Sequence, residues 1–174
     1  GLGCFIVTRD GAYGTGLSKP FWEDQFTLHR ALAEWSEGTS DPPGNEGPGA
    51  LATPGDTTWE DRIYPEVPWG TPGGQFVAQS SATKAIGDMG TYAFMDPHLG
   101  TDVQLWLNQP EQNFGWFLLG DEGESADKTV RRFETREAGE DAAPILLITY
   151  SMVPEPGTLT LFGVGLLLVR IWRT

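Results

Sequence analysis

Cysteine, histidine and long hydrophobic runs are all scarce in this chain of 174 residues. Cys4 is the single cysteine, so no disulfide can form within the chain, and cysteine content neither supports nor opposes export. The two histidines, His29 and His98, are far apart in sequence, and His-Glu-x-x-His, Gly-x-Ser-x-Gly and Gly-Lys-Ser motifs are missing. A paired nucleophile and general base is therefore poorly supplied.

Basic residues are also in short supply, with 11 lysines and arginines against 24 aspartates and glutamates and a formal net charge of −13. Nucleic-acid affinity depends on Lys and Arg, which release condensed counterions from phosphates. We therefore expect no nucleic-acid partner. Turn-forming residues are abundant instead: 23 glycines and 13 prolines suit one modest globular domain with many turns.

The opening segment lacks the features of a signal peptide. Its sequence, GLGCFIVTRD, has no basic start followed by an apolar run of about seven residues. We therefore expect the true N-terminus to lie upstream of Gly1.

Short β-rich runs separated by turn residues dominate the body of the chain. Their spacing is typical of a sandwich or barrel and not of alternating βα units. Residues 114–119 are apolar on both faces, which predicts an inner strand covered on both sides. The predicted strands are residues 4–8, 26–28, 75–78, 91–95, 114–119, 129–136 and 145–150.

Two other segments have a clear local pattern. Residues 102–107 predict one short helix, capped by Asp102 and ended by Pro110. Residues 36–56 are packed with Gly, Pro, Ser, Asn and Asp, which predicts a long loop structured by turns.

An ordered series of short motifs runs through residues 26–150. They are LHR at 28–30, WSEGTS at 35–40, TPGDTTW at 53–59, WGTPGG at 69–74, DVQLWL at 102–107, NFGW at 113–116, RFETRE at 132–137 and PILLITY at 144–150. This series resembles the DNRLRE-domain family. The resemblance implies a jelly-roll-like β-sandwich of the carbohydrate-binding-module type, found on secreted bacterial proteins.

The last part of the chain combines a Pro-Glu-Pro motif, an apolar run and a basic end. Pro154 and Pro156 fix φ and keep Val153 and Glu155 out of the helical region, so the motif is expected to be extended. The run that follows, residues 159–169, has no polar face, which argues against a helix docked on the body. In this order the parts resemble a PEP-CTERM sorting domain. The resemblance implies an exosortase that recognises and cuts the tail.

The apolar run is shorter than the twenty or so residues of a full membrane span. Counting residues 157–172, with Arg170 snorkelling, gives roughly 24 Å of helix at about 1.5 Å per residue, which is usable if the bilayer thins locally. Arg170 and Arg173 mark the end of this helix as cytoplasmic by the positive-inside tendency. The body is then expected outside, anchored transiently in the bacterial inner membrane and later placed on the cell surface or in the extracellular matrix.

Four parts of the chain follow from these patterns. Residues 1–25 are expected to hold incomplete N-terminal strands, and residues 26–150 the β-sandwich. Residues 151–157 form an extended linker with the Pro-Glu-Pro motif, and residues 158–174 a single C-terminal hydrophobic helix with a basic end.

Three tryptophans are candidate glycan-binding residues. Trp35, Trp59 and Trp69 lie at the edges of polar loops rich in Gly and Pro, and an indole face matches the apolar face of a pyranose ring. Trp106 and Trp116 have apolar neighbours and are expected in the core.

One acidic loop is a candidate calcium site. Its carboxylates, Asp121, Glu122, Glu124 and Asp127, concentrate oxygen ligands between two predicted strands, although their spacing is not that of an EF-hand. The alternative is a solvated acidic turn.

Together these patterns predict a non-catalytic exported surface or matrix protein, sorted through its tail by an exosortase, with affinity for extracellular polysaccharide. The competing hypothesis is an envelope-associated polysaccharide hydrolase. A hydrolase would need two carboxyl groups facing each other across an open cleft, about 5 to 9.5 Å apart.

Overall fold

The computed structural model describes residues 2–10, 24–41, 50–120 and 131–151. These residues are mostly β-structure with one α-helix, which agrees with the expected all-β class, while the jelly-roll arrangement stays a prediction. Short 3₁₀ turns occupy Pro110–Gln112 and Arg136–Ala138. In chain order, the elements are β1 Leu2–Asp10, β2 Asp24–Arg30, β3 Asp61–Ile63, β4 Val67–Pro68, β5 Ala82–Ile86, β6 Gly90–Asp96, α1 Pro97–Asn108, β7 Trp116–Leu119, β8 Arg132–Phe133 and β9 Ile145–Thr149.

Antiparallel pairing joins these strands into three sheets. In the largest, β1 pairs along one edge with β6 and along the other with β8 and β9. In the second, β2 lies between β5 and β7, and the third is the short β3–β4 hairpin.

The hydrophobic core draws residues from both larger sheets and from α1. In β2, buried Phe26 and Leu28 alternate with less buried Thr27 and His29, because successive side chains of a strand point to opposite faces. Partly buried aromatic and aliphatic residues from β6, β7 and β8 complete the cluster. The buried members are Phe26, Leu28, Ala82, Ile86, Phe94 and Leu99.

Strand β1 belongs to the same sheet as the last strand of the body. Its residues Leu2–Asp10 pair with β6, β8 and β9, which all lie beyond residue 89. The expected division of the chain into four parts stays a prediction.

The predicted start of the helix was wrong. Helix α1 begins at Pro97, and Asp96 is its N-cap, with the carboxylate accepting a 2.9 Å hydrogen bond from the His98 backbone. That bond is the main reason the pKa of Asp96 is lowered. Proline is favoured at the first helical position, so Asp96-Pro97 was the start signal, and Asp102 lies within the helix.

Three predicted strands also differ. Of residues 129–136, only Arg132–Phe133 form a strand in the described part of the chain, and Arg136 begins a 3₁₀ turn. Residues 75–78 supply only a single bridge, between Phe76 and Ala31. Strand β7 begins at Trp116 and pairs with β2 alone among the strands of the described ranges, so there it is an edge strand and not the inner strand that its apolar sequence predicted.

The predicted C-terminal helix of residues 158–174 lies outside the described residues. Within the ranges that are described, no helix is both long enough and apolar enough to cross a membrane.

Candidate functional site

Trp59 is 63 % exposed and lies directly against the backbone of Gly73. A Cβ atom at Gly73 would lie 2.6 Å from Cη2 of the indole, so only glycine leaves room for the ring there. Gly73 also has a φ of 90°, which favours glycine, and its N–H donates a 2.7 Å hydrogen bond to the Trp59 carbonyl. Trp59 is therefore a solvent-facing ring with a rigid support.

Gly74 also lies directly against an aromatic ring, that of Phe117 in β7. A Cβ there would lie 2.7 Å from the ring of Phe117. The Phe117 ring in turn contacts Trp69, with centroids 5.7 Å apart, and Phe76, with centroids 5.5 Å apart. The two adjacent glycines thus have exposed Trp59 on one side and an aromatic cluster of β7 and its neighbours on the other.

Trp69 does not have the position expected of a sugar platform. It is 6 % exposed, and its indole N–H donates a 3.0 Å hydrogen bond to the Thr58 carbonyl. Its backbone N–H donates to the Glu60 carbonyl at 2.9 Å. Trp69 therefore holds the turn that presents Trp59, and its ring has no open face for a sugar.

Trp35 is 45 % exposed and is fixed in orientation. Its indole N–H donates a 2.8 Å hydrogen bond to the carbonyl of Phe114, just before β7. An exposed aromatic side chain held in one orientation loses little conformational entropy when it binds a ligand.

The segments that carry Trp35 and Trp59 are bound to each other. Ser36 N–H donates to the Arg62 carbonyl at 3.1 Å, and the Arg62 guanidinium donates to the Glu34 carbonyl at 2.8 Å. The Thr57 hydroxyl lies 2.5 Å from the Ser36 carbonyl and 2.9 Å from that of Arg62. We call this hydrogen-bonded unit, residues 34–36 with residues 57–62, the tryptophan unit.

Asp56 closes the loop that connects the two segments of this unit. Its side chain accepts hydrogen bonds from the backbone N–H groups of Thr39 at 2.9 Å, Ser40 at 3.2 Å and Thr53 at 2.5 Å. Asp56 is only 4 % exposed, and these bonds compensate for the burial of its charge. These bonds, the Thr53 bond above all, hold the pKa of Asp56 well below its ordinary value of 3.8. Gly38 lies against the same carboxylate, where a Cβ would be 2.0 Å from Oδ1.

Replacing this carboxylate should make stability depend less on acid pH. A lowered pKa means that the charged Asp56 stabilises the fold above about pH 4, and that this contribution disappears as the pH falls through the folded-state pKa. We expect Asp56→Asn to lower Tm by several degrees at pH 7, and we expect the gap to wild type to narrow in strongly acidic buffer. Thermal melts from pH 7 downward measure this, with exposed Asp88→Asn as the control. A Tm difference between wild type and Asp56→Asn that does not change with pH would contradict this prediction.

Asp102, on α1, is a second carboxylate with several partners. It accepts hydrogen bonds from the Ser81 hydroxyl at 2.6 Å, the Trp116 indole N–H at 2.7 Å and the Arg30 guanidinium at 3.1 Å. Arg30 and Trp116 are themselves paired across β2 and β7. Asp102 therefore fastens the helix to the sheet of β5, β2 and β7. As predicted, Trp106 is buried, and its ring packs 4.4 Å from that of Trp116.

The candidate calcium residues Asp121, Glu122, Glu124 and Asp127 lie outside the described residues, so their arrangement stays a prediction. In the described part of the chain, no group of three or more His, Cys, Asp or Glu side chains could hold a metal ion.

Of the tryptophans that the structure describes, the two exposed ones were found from the sequence, but the residues that position them were missed. Gly73-Gly74 and Asp56 both occur in turn-rich motifs, WGTPGG and TPGD, that were interpreted only as loop. A pair of glycines shortly after two tryptophans is a usable signal, since glycine marks positions of close backbone approach.

Comparisons with known proteins bear on the tail. Among protein families, the PEP-CTERM protein-sorting motif matches residues 153–173. No match was found among curated proteins or among solved structures. The matched motif implies export, processing by an exosortase while anchored in the membrane, and delivery to the cell surface. It includes Val153, Pro154, Glu155, Pro156, Arg170 and Arg173, all outside the described residues.

Proposed function

We propose that this is a non-catalytic surface or matrix protein whose body, a β-sandwich of the DNRLRE and carbohydrate-binding-module type, binds extracellular polysaccharide through Trp35 and Trp59. The tail would deliver this body to the outside through an exosortase. The observation that carries the binding proposal is Trp59, an indole 63 % exposed yet supported by Gly73 at contact distance. An exposed aromatic ring that is already held in place loses little conformational entropy when it binds a ligand.

The surroundings of the two rings indicate the class of polysaccharide. Glu34 and Glu60 are exposed and directly adjacent in sequence to Trp35 and Trp59. Their charge would repel uronic-acid polymers, so a neutral polysaccharide fits better. The ring faces would contact the apolar faces of the sugars, and the nearby polar groups would contact the hydroxyls.

The hydrolase alternative finds less support in the described residues. Asp56 and Asp102 have the most hydrogen-bond donors among the carboxylates there, and each is engaged by groups of the protein itself. A general acid in a glycosidase needs a raised pKa, whereas that of Asp56 is lowered. Both carboxylates therefore fit a structural role.

Removing the two rings should weaken polysaccharide binding. We expect Trp35→Ala combined with Trp59→Ala to lower affinity for a neutral polysaccharide by roughly ten-fold or more, because about 1.4 kcal/mol of lost contact corresponds to that factor. A glycan array, followed by titration of the best binder with the full chain in mild detergent, measures the change.

The controls separate stacking from general loss of apolar surface. Leu51, 92 % exposed, gives the matched variant Leu51→Ala, and Trp59→Phe retains a ring. Unchanged binding by a folded double variant would place the site elsewhere, and release of reducing sugar from the bound polymer would favour the hydrolase.

A further inference from the structure

Strand β9 is apolar and exposed along its whole length. All five residues of Ile145–Thr149 are exposed, with Leu147 at 53 %, and Tyr150 just after the strand is 74 % exposed. The sequence ILLIT contains no charge and no proline. Natural edge strands are usually protected by such residues against pairing with other chains. This strand lacks that protection in a protein with a formal net charge of −13.

The outer edge of β9 has no strand partner within the described residues. Leu2–Asp10 pairs with β6 along one edge, and β8 and β9 lie end to end along the other. The backbone donors and acceptors on the far side of β9 are therefore placed to accept an additional strand.

An exposed apolar side chain also lies on the other side of β1. Met95 of β6 and Leu147 of β9 both pair with Cys4, so they lie on the same face of the sheet, one on each side of β1. Met95 is 62 % exposed and Leu147 53 %. We call β9, with Met95 and Tyr150, the β9 surface.

The sorting motif begins close to this surface. Strand β9 ends at Thr149, and the matched motif starts at residue 153 and ends at residue 173, one residue before the end of the sequence. Four residues span at most about 14 Å when fully extended. An enzyme that binds Val153 must therefore lie within about 14 Å of the end of β9.

We propose that the β9 surface is a docking site for the exosortase, which adds an extended segment of its own to the free edge of β9 and covers the apolar side chains. Substrate recognition then includes folded structure upstream of residues 153–173. This inference rests on the proposed sorting by an exosortase. A second copy of the chain fits less well, because its net charge of −13 opposes close association of two bodies.

The test compares processing of full-length variants in a host that has an exosortase. Leu147→Lys introduces a charge into the β9 surface, and Leu107→Lys makes the same change at a 70 % exposed leucine of α1. In pulse-chase labelling, we expect Leu147→Lys to slow conversion to the shortened form by roughly ten-fold, as loss of a contact at the centre of an interface does, and Leu107→Lys to match wild type. Thermal melts verify that both variants fold.

A spacer tests the same idea without altering β9. Inserting about eight Gly and Ser residues after Ser151 separates the motif from the β9 surface, since each adds up to about 3.6 Å. We expect the spacer to slow processing about as much as Leu147→Lys, and the two changes together to cost little more than either alone.

Each remaining outcome overturns the inference. Wild-type processing rates for Leu147→Lys and the spacer variant would show that the motif alone is read. A wild-type dimer that Leu147→Lys converts to a monomer would assign the surface to a second copy. If the unmodified chain is not shortened in this host, the sorting proposal itself is refuted.

Discussion

Replacing Pro154-Glu155-Pro156 with Ala-Ala-Ala should leave the chain at full length and retained in the inner membrane, whereas the unmodified chain is shortened and leaves that membrane. The two prolines are expected to keep the motif extended, because each fixes φ and restricts the residue before it, whereas three alanines would favour a helical backbone there. The expected loss of processing is nearly complete. Immunoblots of membrane and extracellular fractions, in a host that has an exosortase, measure both mass and location.

The matched control makes the same replacement away from the tail. Pro110-Glu111-Gln112, a 3₁₀ turn without buried residues, provides a Pro-Glu pair in the body, and its Ala-Ala-Ala variant should be processed normally. If the tail variant and the unmodified chain run at the same mass and fractionate together, the sorting assignment fails, and the tail is better described as an ordinary C-terminal anchor.

Removing the Asp102 carboxylate should strongly destabilise the body. Asp102→Ala leaves the Ser81 hydroxyl, the Trp116 indole N–H and the Arg30 guanidinium without their acceptor in a half-buried position. We expect the free energy of unfolding to fall by about 3 kcal/mol, because several hydrogen bonds to one carboxylate are lost at once. Urea titration of the wild-type and variant chains measures the difference.

A double-mutant cycle tests whether the effect comes from this network. Trp116→Phe removes one donor, and in the Asp102→Ala background it should cost less than in wild type, because its acceptor is already gone. Asp88→Ala, at an exposed position, should change stability by less than about 0.5 kcal/mol. Additive effects of the two network changes would mean that the hydrogen bonds contribute little.

Local patterns in the sequence predicted the strands that lie next to the core. Residues 26–28 and 91–95 were found as short β-rich runs between turn residues, and they form the centres of β2 and β6. Strand β7 was wrongly predicted to be an inner strand, and the reason is its packing. Leu118 packs against the core, while Phe117 packs in the aromatic cluster beside Gly74. Both faces are therefore apolar, although the strand has one partner.

The parts of the site that sequence did not reveal depend on contacts between distant positions. Asp56 binds Thr39 and Ser40, which lie 17 and 16 residues away, and Asp102 binds Arg30 across 72 residues. No local periodicity encodes such bonds. Exposure of Trp59 was foreseen from its turn-rich surroundings, whereas burial of Trp69 depends on its packing against Phe117 and its bond to Thr58.

The position of β1 has a consequence for the order of folding. Its partners are β6, roughly 90 residues later, and β9, roughly 140 residues later, so the largest sheet consists almost wholly of contacts between distant parts of the chain. Such contacts form slowly, because a long loop must be closed before they contribute. The hairpin of β3 and β4 and the pairing of β2 with β5 involve shorter loops and can form first. Residues 2–10 thus precede all their partners in the chain, and their sheet is complete only after Thr149, four residues before the sorting motif, has joined it.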